Sequence, residues 1–366
     1  MIASPIVGKV QSIFGRVNMI KYGLLLVGLP FLGYFLINKI DSTLIFIFIF
    51  LALRSVQGIG NSMWQTAIYA ILTSEYPKHT HIAVGILETS SGIGLALGPV
   101  AGTLIYEVGG IDAPFLTFFI VLVLLSLFLR RFMPSDDQRQ TEEEPTKNKI
   151  SYFKLLSSSN VIFANLSVLL SVLQYVFIDP VLAYYLHEEF HLGYEDSAYF
   201  FFALGIGNMI GCLIAPLTSK CVNNKASLMI SSIFLGVITM TYSSSYVLHL
   251  PKNIYIIISG LFLGGLINAY LIIPTMDEML KDSQERLNLD EDNKELNDAW
   301  SGLFNMSYSA GEILGPLIGN LLFTFTNFSI TCDIIGCLLI LFGFVYFVVH
   351  KMTNKASKIS NSNQKI

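Results

Sequence analysis

The chain has 366 residues, of which 53% are hydrophobic and only 13% charged, with a mean hydropathy of +0.61 and a net charge of −4. So little charge excludes an ordinary water-soluble domain of this length, and the acidic balance excludes the basic footprint of a nucleic-acid binder. The four cysteines, Cys212, Cys221, Cys332 and Cys337, have no metal or redox spacing and read as packing residues. The first sixteen residues lack the long apolar core and small-residue cleavage site of a signal peptide.

A bilayer core about 30 Å thick calls for about 20 apolar residues per helix. Ten stretches are predicted to span: 19–38, 43–73, 81–106, 112–133, 160–186, 195–219, 224–243, 252–279, 297–326 and 329–351. None alternates polar and apolar residues over about ten positions, as barrel strands do. The expected fold class is an all-α polytopic membrane protein.

Placing the segment before the first span in the cytoplasm puts nearly every lysine and arginine on that side, including Lys9, Arg16, Lys78, Arg130, Arg131 and Lys281. Only Lys39 and Lys252 fall opposite, and Arg54 lies within a span. The positive-inside rule therefore predicts cytoplasmic termini, in the plasma membrane or an intracellular vesicle membrane. The polar stretch 134–159 has the charged, proline-containing composition of a linker, and a second polar loop at 280–296 is acidic. The expected division is a truncated four-span half-bundle at 1–133, a cytoplasmic linker at 134–159, a six-helix bundle at 160–351 and a cytoplasmic tail at 352–366.

One pattern occurs twice. Gly94-Leu-Ala-Leu-Gly98-Pro99-Val-Ala-Gly102 lies in the third span and Gly311-Glu-Ile-Leu-Gly315-Pro316-Leu-Ile-Gly319 in the ninth. Glycines four apart share a helical face and admit a second backbone, while the proline kinks the helix. One copy per half suggests two pseudo-symmetric halves. The second copy sits in the fifth of six spans after the linker, the first in the third of four before it. Equivalence predicts a six-plus-six protein lacking its first two spans.

These residues resemble the major facilitator superfamily, specifically its drug:proton antiporter-like group. Gly94 to Gly102 is similar to the fifth-helix antiporter motif. Leu51-Ala-Leu-Arg54-Ser-Val-Gln57-Gly58-Ile-Gly60 resembles the fourth-helix motif with its intramembrane arginine. Ser4-Pro5-Ile-Val-Gly8-Lys9-Val-Gln-Ser12-Ile13-Phe-Gly15-Arg16 resembles the gating loop between helices two and three, with Ser12 where that loop usually has Asp and Ile13 where it usually has Arg. The resemblance implies a major facilitator fold containing family helices 3–12. Within the superfamily it is nearest the vesicular amine transporters, particularly the polyamine branch. Leu87-Glu88-Thr-Ser-Ser-Gly92, Tyr308-Ser-Ala-Gly311-Glu312 and Ile178-Asp179-Pro180-Val-Leu182 carry that likeness. Ala269 and Asn305 fall near positions where that branch carries acids in helices ten and eleven, and its first-helix Asp lies outside this chain.

Ionisable groups at bilayer depth cost about 2.5–3.5 kcal/mol on insertion scales, so each requires a reason. Arg54 couples protons or pairs with a carboxylate, or else caps backbone carbonyls between helices. Glu88 and Glu312 suit proton exchange and the holding of an organic cation, or are neutral acids bonded within the bundle. Asp179 has the same two readings, and Asp179-Pro180 should loosen its helix and expose carbonyls. Tyr175, Tyr184, Tyr185, Tyr270 and Tyr308 can stack on a cation or serve as packing and interface residues. His187-Glu188-Glu189-Phe190-His191 matches HExxH, but it sits at a span mouth beside a turn, with no suitably placed third ligand. An acidic vestibule fits this context better than a zinc enzyme.

The expected function is a secondary active transporter exchanging protons for an organic cation, an amine, polyamine or drug-like molecule, by alternating access. The alternative is a truncated, non-transporting membrane binding module. No enzyme activity, cofactor or metal is expected; the expected partners are the cation, protons and the lipid bilayer.

Overall fold

The structure, a computed structural model, describes residues 3–37, 42–133, 155–218, 223–287 and 293–363. Residues 134–154 of the expected linker and 364–366 of the expected tail lie outside the described residues, as do 288–292 of the acidic loop.

All regular secondary structure among the described residues is helical. In order the chain forms α1 (Ala3–Phe14), α2 (Arg16–Ile37), α3 (Thr43–Glu75), α4 (Thr80–Gly109), α5 (Asp112–Phe132), α6 (Ser159–Val176), α7 (Leu182–Phe190), α8 (Ser197–Thr218), α9 (Asn224–Thr239), α10 (Ile254–Leu287), α11 (Lys294–Phe325) and α12 (Phe328–Asn363). Among the described residues nine segments are long and apolar enough to cross a membrane. Helices suit that solvent because each satisfies its own backbone polar groups. Leu44, Phe48 and Leu51 on α3, and Leu97 and Leu104 on α4, are accordingly exposed.

Two expectations need refinement. The stretch read as a loop before the first span is largely helix: Gly8 lies inside α1, and the chain turns only at Gly15. Gly15 has φ +84°, in the left-handed region that glycine enters without steric cost, and its N–H closes the end of α1 on the Gln11 carbonyl at 2.9 Å. The ninth expected span, 297–326, is helical as α11 but is not among the nine apolar segments. Asn297, Asp298, Ser301, Asn305 and Ser307 dilute its hydropathy, and all five are buried in protein rather than facing lipid.

The chain forms two compact units. Their bounds cut through α4 and α11: residues 79–97 belong with the second unit and 289–306 with the first. In the first unit α2 packs against α3 and α5, while α1 lies on α3. Gly23 and Gly60 make the α2–α3 crossing close, since a Cβ on either would stand 2.7–2.8 Å from the other's carbonyl oxygen. Phe304 of α11 packs its ring 4.8 Å from that of Tyr69, and Asn305 donates to Thr66 Oγ1 at 2.9 Å.

In the second unit α10 packs on α8, α9 and α6, and α9 packs on α12. The two copies of the glycine-proline pattern differ here. A Cβ on Gly311 or Gly315 would stand 2.6 or 2.8 Å from the carbonyl oxygens of Leu169 or Leu173 on α6, and one on Gly319 would strike that of Phe177. Around Gly94, Gly98 and Gly102 of α4, no described atom lies within 4 Å of such a Cβ. The side chain of Pro99 lies outside what the structure describes.

Candidate functional site

Five helices of the second unit surround a cavity of about 170 Å³. Helical periodicity selects what each presents to it. Positions 88, 91, 92 and 95 form one face of α4, positions 172, 175 and 176 one face of α6, and positions 268 and 272 one face of α10. Asn208 comes from α8, and Tyr308 and Glu312 stand one turn apart on α11. The lining therefore contains two carboxylates, two tyrosines and two asparagines, with no lysine, arginine or histidine. Such a wall favours a cation: two acids supply charge, and tyrosine rings offer their negative faces.

Glu88 and Glu312, 224 positions apart in sequence, thus meet at one cavity. Glu88 is 4% exposed, whereas Glu312 is accessible. The close packing of α11 on α6 through Gly311 and Gly315 sets where Glu312 sits, because Glu312 lies between those two glycines. Gly92, on the cavity face of α4, likewise lies against α8, where its Cβ would stand 3.1 Å from the Met209 nitrogen.

Asp179 is placed elsewhere. α6 ends at Val176 and the chain runs through turns over residues 177–181 before α7 begins at Leu182. This is the loosened helix expected at Asp179-Pro180. Asp179 and Pro180 are exposed, and Asp179 does not line the cavity.

Arg54 belongs to the first unit. Its Nη1 donates to Gln57 Oε1 at 3.2 Å, and Tyr34 OH donates to the same oxygen at 3.2 Å. Its guanidinium lies 5.5 Å from the centre of the Tyr34 ring and 5.3 Å from that of Phe50. Among the described residues it has no carboxylate partner; two aromatic faces and one amide hold it. Gln57 is therefore the residue of the fourth-helix motif that touches the arginine, while Gly58 faces open space.

The gating-loop residue Arg16 does find an acid, one that the sequence alone does not connect to it. Its Nε and Nη2 lie 2.9 and 2.7 Å from Asp298 Oδ1, and its Nη1 donates to Ser74 Oγ at 2.6 Å. Gln11 of α1 donates to the same Asp298 oxygen at 2.9 Å. Asn208 and Asn268 at the cavity also escaped the sequence reading, since a single amide in an apolar helix has no motif around it.

The HExxH pattern is not a helical pair of ligands. α7 ends at Phe190, and His191 takes the left-handed φ of 55°. His187 Nδ1 donates to the Leu192 carbonyl at 2.9 Å, its ring stacks on Tyr194, and Glu189 pairs with Lys252.

A profile of the Major Facilitator Superfamily matches residues 1–283. The chain belongs to that superfamily. It is a multi-pass membrane transporter, not an enzyme. The rat MFS-type transporter SLC18B1 is 25% identical over 366 residues, covering 99% of this chain and 78% of the relative. The human synaptic vesicular amine transporter is 24% identical over 330 residues, covering 87% of this chain and 60% of that protein. Among solved structures, the human organic anion transporter MFSD10 matches with a TM-score of 0.71 at 13% identity, over 94% of this chain and 80% of its own. The E. coli fucose:proton symporter FucP matches with a TM-score of 0.67 at 14% identity, over 94% and 86%. At these identities the solved structures establish the fold.

Proposed function

We propose that this transporter exchanges protons for a small organic cation, of the amine or drug-like class, by alternating access. The cavity of the second unit carries the proposal, because Glu88 and Glu312 line it and none of its lining residues is basic. Relatedness to a vesicular amine transporter supports a nitrogenous cation. In this mechanism the carboxylates hold the cation when ionised and release it when protonated, so that cation and proton use the same oxygens on opposite legs of the cycle. Arg54, held in the first unit by Gln57 and two rings, is the basic residue assigned to proton coupling. Asp179, in an open turn, adds a carboxylate on the cation's route. The arrangement of basic residues supports a cytoplasmic location for both termini.

The test is uptake of a fluorescent organic cation by proteoliposomes holding the full chain under an imposed pH gradient. Uptake should require the gradient and be lost in Glu312→Gln and in Arg54→Ala. Undiminished uptake in both variants would overturn the mechanism.

A further inference from the structure

Asn268, on α10, lines the cavity yet is only 1% exposed. A chain of hydrogen bonds fixes which way its amide points. Thr239 Oγ1 donates its only hydrogen to the Leu235 carbonyl at 2.7 Å, so its oxygen can only accept from Gln174 Nε2 at 3.1 Å. Gln174 Nε2 also donates to Tyr242 OH at 2.8 Å, which commits the amide nitrogen of Gln174 to that side. Gln174 Oε1 is thereby turned toward Asn268, whose Nδ2 donates to it at 3.2 Å. The Ser171 carbonyl, which cannot donate, takes a second bond from the same Nδ2 at 2.9 Å. A flipped Asn268 would set oxygen against oxygen at both places. Its Oδ1 must therefore be the remaining atom, and no donor among the described residues reaches it.

A buried acceptor held in one orientation bears a desolvation cost until an N–H or O–H meets it. Glu88 and Glu312 in the same cavity respond to any positive charge, whether or not it carries a hydrogen. We infer that Asn268 is a specificity-determining residue: its Oδ1 accepts an N–H from the bound cation and so favours protonated amines over quaternary ammonium ions. This inference rests on the cation reading of the cavity. The cation supplies attraction to the carboxylates through its charge and to Asn268 through its hydrogen. A quaternary ion of the same size can satisfy only the first.

The test compares two probes differing by one N-methyl group, protonated N,N-dimethylphenethylamine and the N,N,N-trimethylphenethylammonium ion, by calorimetric titration of the purified full chain at neutral pH. The unmodified protein should bind the protonated amine more tightly by about tenfold or more, the factor expected of one charge-assisted hydrogen bond. In Asn268→Leu that ratio should collapse toward one while affinity for the quaternary ion stays nearly unchanged. Equal affinities in the unmodified protein overturn the proposal, and this measurement needs no variant to fold. A ratio that survives Asn268→Leu overturns it as well. Failure of both ions to bind overturns the cation reading, and this proposal with it.

Discussion

Arg16 and Asp298, 282 positions apart, form a buried ion pair that binds the start of α2 to the first turns of α11. Their side chains are only 13% and 7% exposed, and Gln11 and Ser74 occupy further hydrogen-bonding positions on the pair. The loop motif that usually carries an aspartate has Ser12 here. In this protein the acid that meets Arg16 comes from α11.

Breaking one side of that pair leaves the other charge buried. Asp298→Asn or Arg16→Gln should each cost about 3 kcal/mol of stability, and the double variant less than the two added together. A double-mutant cycle of thermal unfolding in detergent measures the coupling. Additive losses would show that the two residues act independently.

The two glycine-proline copies should respond oppositely to one added methyl group. Gly319→Ala drives a Cβ into the Phe177 carbonyl and should cost about 1–3 kcal/mol as overpacking. Gly98→Ala meets nothing within 4 Å and should be neutral, or stabilising by up to about 1 kcal/mol through helix propensity. Melting temperatures of the two variants, read side by side, decide it.

Asp333 near the start of α12 holds the turn that follows α9. It accepts from Ser245 Oγ at 2.5 Å and from the backbone N–H groups of Tyr246 and Val247 at 3.0 and 3.3 Å. Asp333→Leu removes the acceptor from all three donors and should cost about 2–3 kcal/mol. Hydrogen exchange gives a local readout: the amides of Tyr246 and Val247 should lose protection, while those within α10 keep it.

Lys252 lies outside the spans, and its hydrogen bond and charge contact with Glu189 raise its pKa above the ordinary lysine value. A raised folded-state pKa gives stability that is fully present below the unfolded value, near 10.4, and fades only as pH rises through the higher folded value. Glu189→Gln should therefore shift the unfolding midpoint by the same small amount at pH 7 and pH 9. Added zinc should leave that midpoint unmoved, since His187 and His191 do not share a helix face. A zinc-dependent rise would restore the metal reading of HExxH.

The sequence by itself determined the helical membrane class, because apolar runs of spanning length admit few other structures in lipid. It also located the helix break at Asp179-Pro180 and the two charged helices bearing Glu88 and Glu312, since an acid in an apolar run is conspicuous. It misjudged α1, where a motif usually seen as a loop folds as helix up to Gly15. It also overstated the apolar character of α11, whose polar residues are covered by protein. Only the tertiary structure decided which residues meet. Helix periodicity fixes a face but not its partner, so sequence could not pair Glu88 with Glu312 or Arg16 with Asp298. Nor could it show that one glycine pattern is packed and its twin open. The orientation of Asn268 depends on Thr239, Gln174 and Ser171 from two other helices. A hydrogen-bond chain of that kind exists only after the helices have packed.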